Sequence, residues 1–278
     1  VFVVTKFGII KSREEFSEAI KRPNLDIRDY EPADTGGMTK EAALQEIAQL
    51  RLRLNDLQNV LYADERFGLL FVLQAIDTAG KDSTINSVFQ EVGPIGCRVE
   101  SFKVPTPEEL AHDYLWRYRK VTPQKGHITI FNRSHYEAVL VERVKGIVPK
   151  QAWEQRYDDI NSWEDYLVRN GTVVMKFFLL ISKDEQRQRL QERIDDPKKQ
   201  WKFRLGDLDD RKLWNEYAGA YSDAITRCNT KQAPWHVIPA NKKWYRDVLV
   251  ARALVEKLES LDLRYPPADP SVVGLKVE

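Results

Sequence analysis

The sequence predicts an α/β fold, a parallel sheet covered by helices on both faces. Two observations predict it. Apolar runs of strand length, at Leu69–Leu73, Gly126–Phe131, Thr172–Ile181 and Trp235–Pro239, alternate with stretches at helical spacing. The first of these runs ends in a small, polar loop that leads directly into a helix, and in parallel sheets ligands bind at such carboxyl ends. The length, 278 residues, suits one such domain with embellishments, or two small ones. We read it as a single domain, 1–278, with an amino-terminal extension and helix over about 1–62 and a lid over about 195–213.

Residues 1 to about 38 are irregular, with turn signals at Pro23-Asn24 and Gly36-Gly37. Thr39 can cap a helix in which Ile47, Leu50, Leu54, Leu57 and Leu61 recur three and four apart. That stripe predicts one amphipathic helix laid on the domain, with a dimer coiled coil as the alternative. After the strand at Leu69–Leu73 and the loop Ala75–Lys81, Ile85, Val88, Phe89 and Val92 mark a helix. Arg98–Phe102 is a short strand, Glu108–Arg119 a helix, Gly126–Phe131 a buried strand, and Trp153–Leu167 a helix. Thr172–Ile181 is the strongest strand, Lys183–Ile194 a helix, and 195–206 a charged crossing. A long helix follows to about Arg227, then a last strand, Trp235–Pro239, and a last helix, Lys243–Leu261.

Composition limits the partners. Charged residues make up 31%, yet the formal net charge is +1, so no broad attraction to nucleic acid or a membrane surface is expected. Cys97 and Cys228 make neither a disulfide framework nor a metal pattern, and predict reduced thiols in a cytoplasmic protein. No apolar run approaches membrane-spanning length. The opening VFVVTKFGII is too short and too poorly flanked to predict a signal peptide; it lacks an initiating Met, which leaves a preceding segment open.

Strand, loop ending in Gly80-Lys81, then helix is the layout of a phosphate-binding loop, whose N–H groups and helix dipole favour an anion. Lys81 adds a point charge that can reach outer phosphates. The Walker A pattern is met imperfectly: Ala75 holds the first glycine position, Asp82 follows the lysine, and Ser83 comes one place late. Asp77 puts a carboxylate inside the cradle. An acid there repels phosphate unless a divalent cation lies between them, so Asp77 reads as a magnesium ligand; the plain alternative is a turn Asp capping its own backbone.

A second cluster, Asn132-Arg133-Ser134-His135-Tyr136-Glu137, ends the next buried strand. Asn132 can bind a magnesium-bound water or a phosphate oxygen, Arg133 is a fork suited to phosphate, and Glu137 can be a second acid near the metal or a contact to the acceptor. Ordinary helix capping by Asn132 or Ser134 is the alternative, and His135 reads as packed rather than as a base. A third segment, from Arg187 to Arg211, concentrates positive charge around Trp201 and Phe203. It reads as a lid over phosphates; a single-stranded nucleic-acid strip and a solvated helix face are the alternatives.

These residues resemble the type 2 polyphosphate kinase family. The likeness lies in Gln74–Asp82 (QAIDTAGKD), Ser101–Pro105, His112–Arg117 and Phe131–Glu137. It continues in Lys176–Leu179, Trp201–Phe203 and Ala233–Ala240, and runs from about Asp34 to Leu261. The resemblance implies a P-loop nucleotide-kinase-like three-layer fold with a helical lid. It also implies transfer of the terminal phosphoryl group of inorganic polyphosphate to ADP and/or AMP with Mg²⁺, the reverse reaction included. Asn132 with Glu137 resembles the subgroup that accepts both AMP and ADP; guanine nucleotides are a further base class.

Carried over, the resemblance gives Asp77, Lys81, Arg133 and Glu137 as catalytic residues, with Asp77 and Glu137 on the metal. Thr78, Ala79, Gly80, Asp82, Ser83, Lys202 and Arg211 would bind phosphate; Arg117 and Asn132 would join Arg133 and Glu137 on the nucleotide. Ser83 stands where relatives commonly carry Gly, and Asn86 where a basic residue often follows. With the leucine stripe, the resemblance also implies a homo-oligomer, dimer or tetramer.

The chemistry agrees independently. Phosphoryl transfer needs positioning and charge neutralisation more than covalent help, and a nucleotide phosphate needs no general base. Two other functions remain to be tested: an ATP-dependent nucleoside monophosphate kinase, opposed by Ala75, Asp77 and Asp82, and a non-catalytic phosphate- or RNA-binding module, opposed by the assembled Asp77, Lys81, Arg133 and Glu137.

Overall fold

The computed structural model describes residues 4–5, 8–9, 25–272 and 274–277. The expected turn at Pro23-Asn24 and most of the opening segment lie outside the described residues. Two-residue strands at Val4–Thr5 and Gly8–Ile9 pair antiparallel, apart from the main sheet.

That sheet has five parallel strands: β1 Gly68–Ala75, β2 Cys97–Ser101, β3 Ile128–Asn132, β4 Thr172–Leu180 and β5 Trp235–Pro239. Their spatial order is β2-β3-β1-β4-β5. The register sets Leu73 of β1 beside Asn132 of β3 and Ala75 beside Leu179 of β4. The loop after β1 and the turn after β3 therefore leave the same edge side by side.

Among the described residues, seven helices longer than a single turn surround the sheet: α1 Lys40–Asp64, α2 Lys81–Val88, α3 Lys150–Arg169, α4 Lys183–Asp195, α5 Gly206–Lys212, α6 Trp214–Arg227 and α7 Lys243–Glu259. Alternation along the strands divides the core. Leu69, Phe71 and Leu73 point to a cluster closed by α1, α2 and α7; Leu70 and Val72 point to one closed by α3 and α6. Both faces are buried, which is why β1 and β4 read as near-continuous apolar runs, interrupted at Gln74 and Lys176. Thr39 accepts a hydrogen bond from Ala42 N at the start of α1, and Ile47, Leu54, Leu57 and Leu61 all bury in the first cluster with Leu254 and Leu258 of α7. The stripe is thus spent within the domain.

Two expected helices are broken. Glu108–Arg119 is two single turns, Pro107–Leu110 and Trp116–Arg119. Thr106 and Glu109 form a capping box on the first, and the Asp113 carboxylate takes Leu115 N between them, offering the backbone a turn in place of a continuous helix. The long helix to Arg227 is divided at Leu213 into α5 and α6. The segment Asn132–Glu137 runs into a 3₁₀ turn, His135–Val139, started by Ser134, whose Oγ accepts from Tyr136 N.

Candidate active site

The loop Ile76–Gly80 is held from behind. Arg189 of α4 donates to Thr78 O (3.2 Å) and Ala79 O (2.9 Å), and its other terminal nitrogen donates to Ala240 O and Asn241 O past the end of β5. Gln186 Nε2 donates to Asp77 O at 3.2 Å. Arg246 of α7, buried and paired with Asp247, donates to Ala79 O and Gly80 O. With these carbonyls anchored outward, the N–H faces of their peptides turn the other way; that of Ala79 is taken by Ile76 O at 3.2 Å, and the others are left to an anion. Thr78 takes φ +70° and Gly80 φ +101°; a β-branched residue in that region is strained, and such strain concentrates at ligand clamps.

Inside the cradle, Lys81 Nζ donates to Ala75 O (3.1 Å) and lies 4.0 Å from Asp77 Oδ1. Arg133 also has a left-handed backbone, φ +63°, and its N–H donates to Leu73 O, which binds the β3 turn to β1. Its guanidinium then reaches Asp77 Oδ1 at 3.4 Å. Glu137 faces the same space: burial raises its carboxyl above the ordinary value, against the pull of Arg133, Lys81 and Gln74. Burial lowers Lys81, against Asp77. Asp77, Lys81, Arg133 and Glu137 are therefore electrostatically one group.

The other expected residues are distributed as follows. Asn132 Nδ2 donates to Asp82 Oδ1 at 2.7 Å, closing a second bridge between the two loops. Ser83 turns back on Gly80 O. Arg117 lies over the Phe102 and Tyr118 rings with Glu109 at 3.3 Å. Lys202 is exposed, 5.1 Å from the Trp201 ring centre. Arg211 is committed to the first turns of α4, donating to Lys183 O (2.6 Å) and Gln186 Oε1 (3.0 Å).

The basic run from Arg187 to Arg211 is less free than its sequence implies. Arg189 is buried on the phosphate loop, and Arg193 lies 3.6 Å from Asp207. Asp207, at the start of α5, is pushed up by burial and by the charge of Asp77, which puts an acid of this segment on the site side.

Sequence reasoning missed Gln74, Gln186, Asp207 and Arg246, and counted Arg189 among the cations of the lid segment. Two signals were present. Gln74 is a polar residue in an apolar strand, and it donates to Ser134 Oγ under the β3 turn. Arg246 interrupts the apolar stripe of α7 that continues at Leu249, Val250 and Ala253.

The donor set fits a magnesium ion shared with phosphates. Among the described residues no three His, Cys, Asp or Glu side chains converge on one point, so no all-protein cage exists. Mg²⁺ is usually held by one or two carboxylates together with substrate phosphates and water, and Asp77 and Glu137 supply that number.

A parallel sheet with an anion loop after its central strand, a lysine in the loop and an arginine from the neighbouring strand defines a phosphate-loop kinase-like protein. Residues 37–266 match the family model for polyphosphate kinase 2. The chain is 53% identical over 91% of its length, and 96% of the relative's, to the AMP/ADP-polyphosphate phosphotransferase of Meiothermus ruber. It is 42% identical to the ADP-polyphosphate phosphotransferase of Rhodopseudomonas palustris, covering 79% of this chain and 80% of that one. The crystal structure of polyphosphate kinase 2 from Arthrobacter aurescens TC1 superposes with a TM-score of 0.87 at 42% identity, over 90% of each chain. The chain belongs to the polyphosphate kinase 2 family.

Proposed function

We propose that the protein transfers the terminal phosphoryl group of inorganic polyphosphate to ADP and AMP, with Mg²⁺ as the metal. The observation that carries this reading is the 53% identity, over nearly the whole of both chains, to a protein named for that activity. The site geometry supports it. Lys81 and the loop N–H groups hold the transferring phosphate, and Arg133 braces the acceptor phosphate from the next strand. Asp77 and Glu137 would hold the metal, which would neutralise charge on the phosphate oxygens. Asp82 and Asn132 lock the two loops at a fixed spacing. Thr78, Ala79, Gly80 and Ser83 shape the cradle, Arg117 serves the nucleotide side, and Lys202 and Arg211 belong to a lid over 195–213 in a single domain.

No helix among the described residues is long and apolar enough to cross a membrane. Burial raises Cys97 to about 11 and Cys228 to about 12, so both stay protonated thiols at neutral pH. A cytoplasmic homo-oligomer is the setting we assign.

The test is purified protein with Mg²⁺, AMP or ADP, and long-chain polyphosphate as sole donor. ADP or ATP formation supports the reading. Turnover with ATP alone as donor makes the protein a nucleoside monophosphate kinase, and no turnover with either donor removes the catalytic reading.

A further inference from the structure

We propose that Gln186 is a positioning residue that couples the lid to the peptide carrying Asp77; the proposal rests on the function proposed above and adds a relay to it. Gln186 lies in the second turn of α4 and is 1% exposed. Its amide faces two ways. Nε2 donates to Asp77 O at 3.2 Å, and Oε1 accepts from Arg211 Nη1 at 3.0 Å. Both partners dictate the amide's orientation: a carbonyl can only accept, and a guanidinium can only donate. Of the side chains of this shape, only the neutral amide serves both.

The two ends belong to different machinery. Arg211 sits in the last turn of α5, at the close of the segment read as a lid, and also donates to Lys183 O. Asp77 is the carboxylate within the phosphate loop. One turn further along α4, Arg189 holds Thr78 O and Ala79 O. Helix α4 thus grips three consecutive loop carbonyls, and the lid meets that grip through Arg211, at Lys183 and Gln186. A lid movement that draws Arg211 away leaves the Gln186 carbonyl unpaired in a buried site, which is costly, so the docked lid and the aligned loop favour each other.

The substitutions separate the two arms. Gln186→Glu can still accept from Arg211 but cannot donate to Asp77 O. Gln186→Leu loses both. Polyphosphate-dependent transfer to AMP is measured across a Mg²⁺ titration, alongside hydrogen exchange followed by mass spectrometry on segments 75–81 and 203–212. Both variants are expected to lower kcat about tenfold, matching loss of the one buried hydrogen bond, to Asp77 O, that both lack. Both are also expected to raise the Mg²⁺ needed for half-maximal rate, with KM for AMP unchanged. Exchange should rise in both segments for Gln186→Leu and in 75–81 alone for Gln186→Glu. Adding Arg211→Gln to Gln186→Leu should cost no more than the larger single change, because both cut one chain.

A residue that merely supports the fold would lower the melting temperature without moving the Mg²⁺ requirement or producing the segment pattern. Wild-type kcat and Mg²⁺ requirement in Gln186→Leu overturn the proposal. So does exchange that rises in neither segment, or full additivity with Arg211→Gln. If the wild-type protein makes no product from polyphosphate, the functional reading fails by itself, and the exchange pattern still decides the relay.

Discussion

The Asp77 carboxylate lies 3.4 Å from the Arg133 guanidinium, across two loops that leave adjacent strands. Without a bound ion, the acid occupies the two cations that phosphate needs, since Lys81 is also at 4.0 Å. Asp77→Asn keeps the shape and removes the charge. Two opposite effects are expected. Transfer at saturating Mg²⁺ falls by at least about 100-fold, as for a lost metal contact. Polyphosphate binding in the presence of a chelator tightens, because Arg133 and Lys81 lose their internal counter-charge. Kinetics and calorimetric titration read the two. Weaker metal-free binding in the variant would remove Asp77 from its assigned role.

Gly80 is the tightest point of the cradle. Its φ is +101°, and a Cβ there would lie 2.4 Å from Arg246 Nη1 and 2.9 Å from Ser83 Oγ. Arg246 cannot withdraw readily: Asp247 holds it on one side and the loop carbonyls on the other. Gly80→Ala is expected to cost about 1–3 kcal/mol in stability and to abolish transfer. Gly93→Ala, with nothing within 4 Å, is the control and should melt with the wild-type protein. Ser83→Ala in the same chain should not rescue Gly80→Ala, because the backbone strain remains.

How much of this was legible follows from where each signal lives. The strands were readable because burial on both faces makes β1 and β4 near-continuous apolar runs, interrupted at Gln74 and Lys176. Asp77, Lys81 and Arg133 were readable because the loop and the β3 turn are contiguous motifs, and the structure brings the three together. Arg189 and Arg246 were not: Arg189 has the same local sequence as a solvated arginine, and the break Arg246 makes in an apolar stripe signals burial but not what it holds. What distinguishes them is a partner 110 and 167 residues away in the chain. Likewise the division at Leu213 and the split helix near Asp113 turn on local side-chain and packing choices that weak propensities do not decide.

Beneath the β3 turn lies a buried ion pair. Lys176 Nζ donates to Glu164 Oε2 at 2.5 Å, to Tyr136 Oη and to Cys228 O, and Glu164 Oε1 accepts from Tyr136 Oη and faces His135 Nε2 at 3.1 Å. Burial pushes Glu164 up, but Lys176 and His135 outweigh it and hold the carboxyl below its ordinary value. The sign follows: its stabilisation is present above the unfolded value of about 4.3 and is lost as pH falls through the lower folded value. Lys176→Met removes the chief counter-charge, so burial wins and the pKa rises. At neutral pH the variant should lose about 3–5 kcal/mol, and its stability should fall with rising pH where the wild-type protein's does not. Lys176→Met with Glu164→Gln should recover much of the loss. Urea midpoints across a pH series measure it; a variant with the wild-type slope would mean the pair is not a charge pair in solution.

The pH profile of transfer separates the two other members of the site. Burial raises Glu137 and lowers Lys81, so each is drawn toward its neutral form. On the acid side, the metal role proposed for Glu137 needs it ionised, so kcat/KM is expected to rise with pH through a value above the ordinary carboxylate one. The acceptor phosphate titrates near 6 and adds its own limb. That limb is common to the wild-type protein and Glu137→Gln, so the ratio of the two rates isolates the carboxyl and should climb with pH, then level. On the alkaline side, Lys81 loses its proton below the usual lysine value of about 10.4. Lys81→Arg keeps the charge at every accessible pH and should carry a lower rate with its alkaline limb moved upward. A rate ratio flat across the acid range would take Glu137 off the metal. An alkaline limb unmoved by Lys81→Arg would mean that another group sets it.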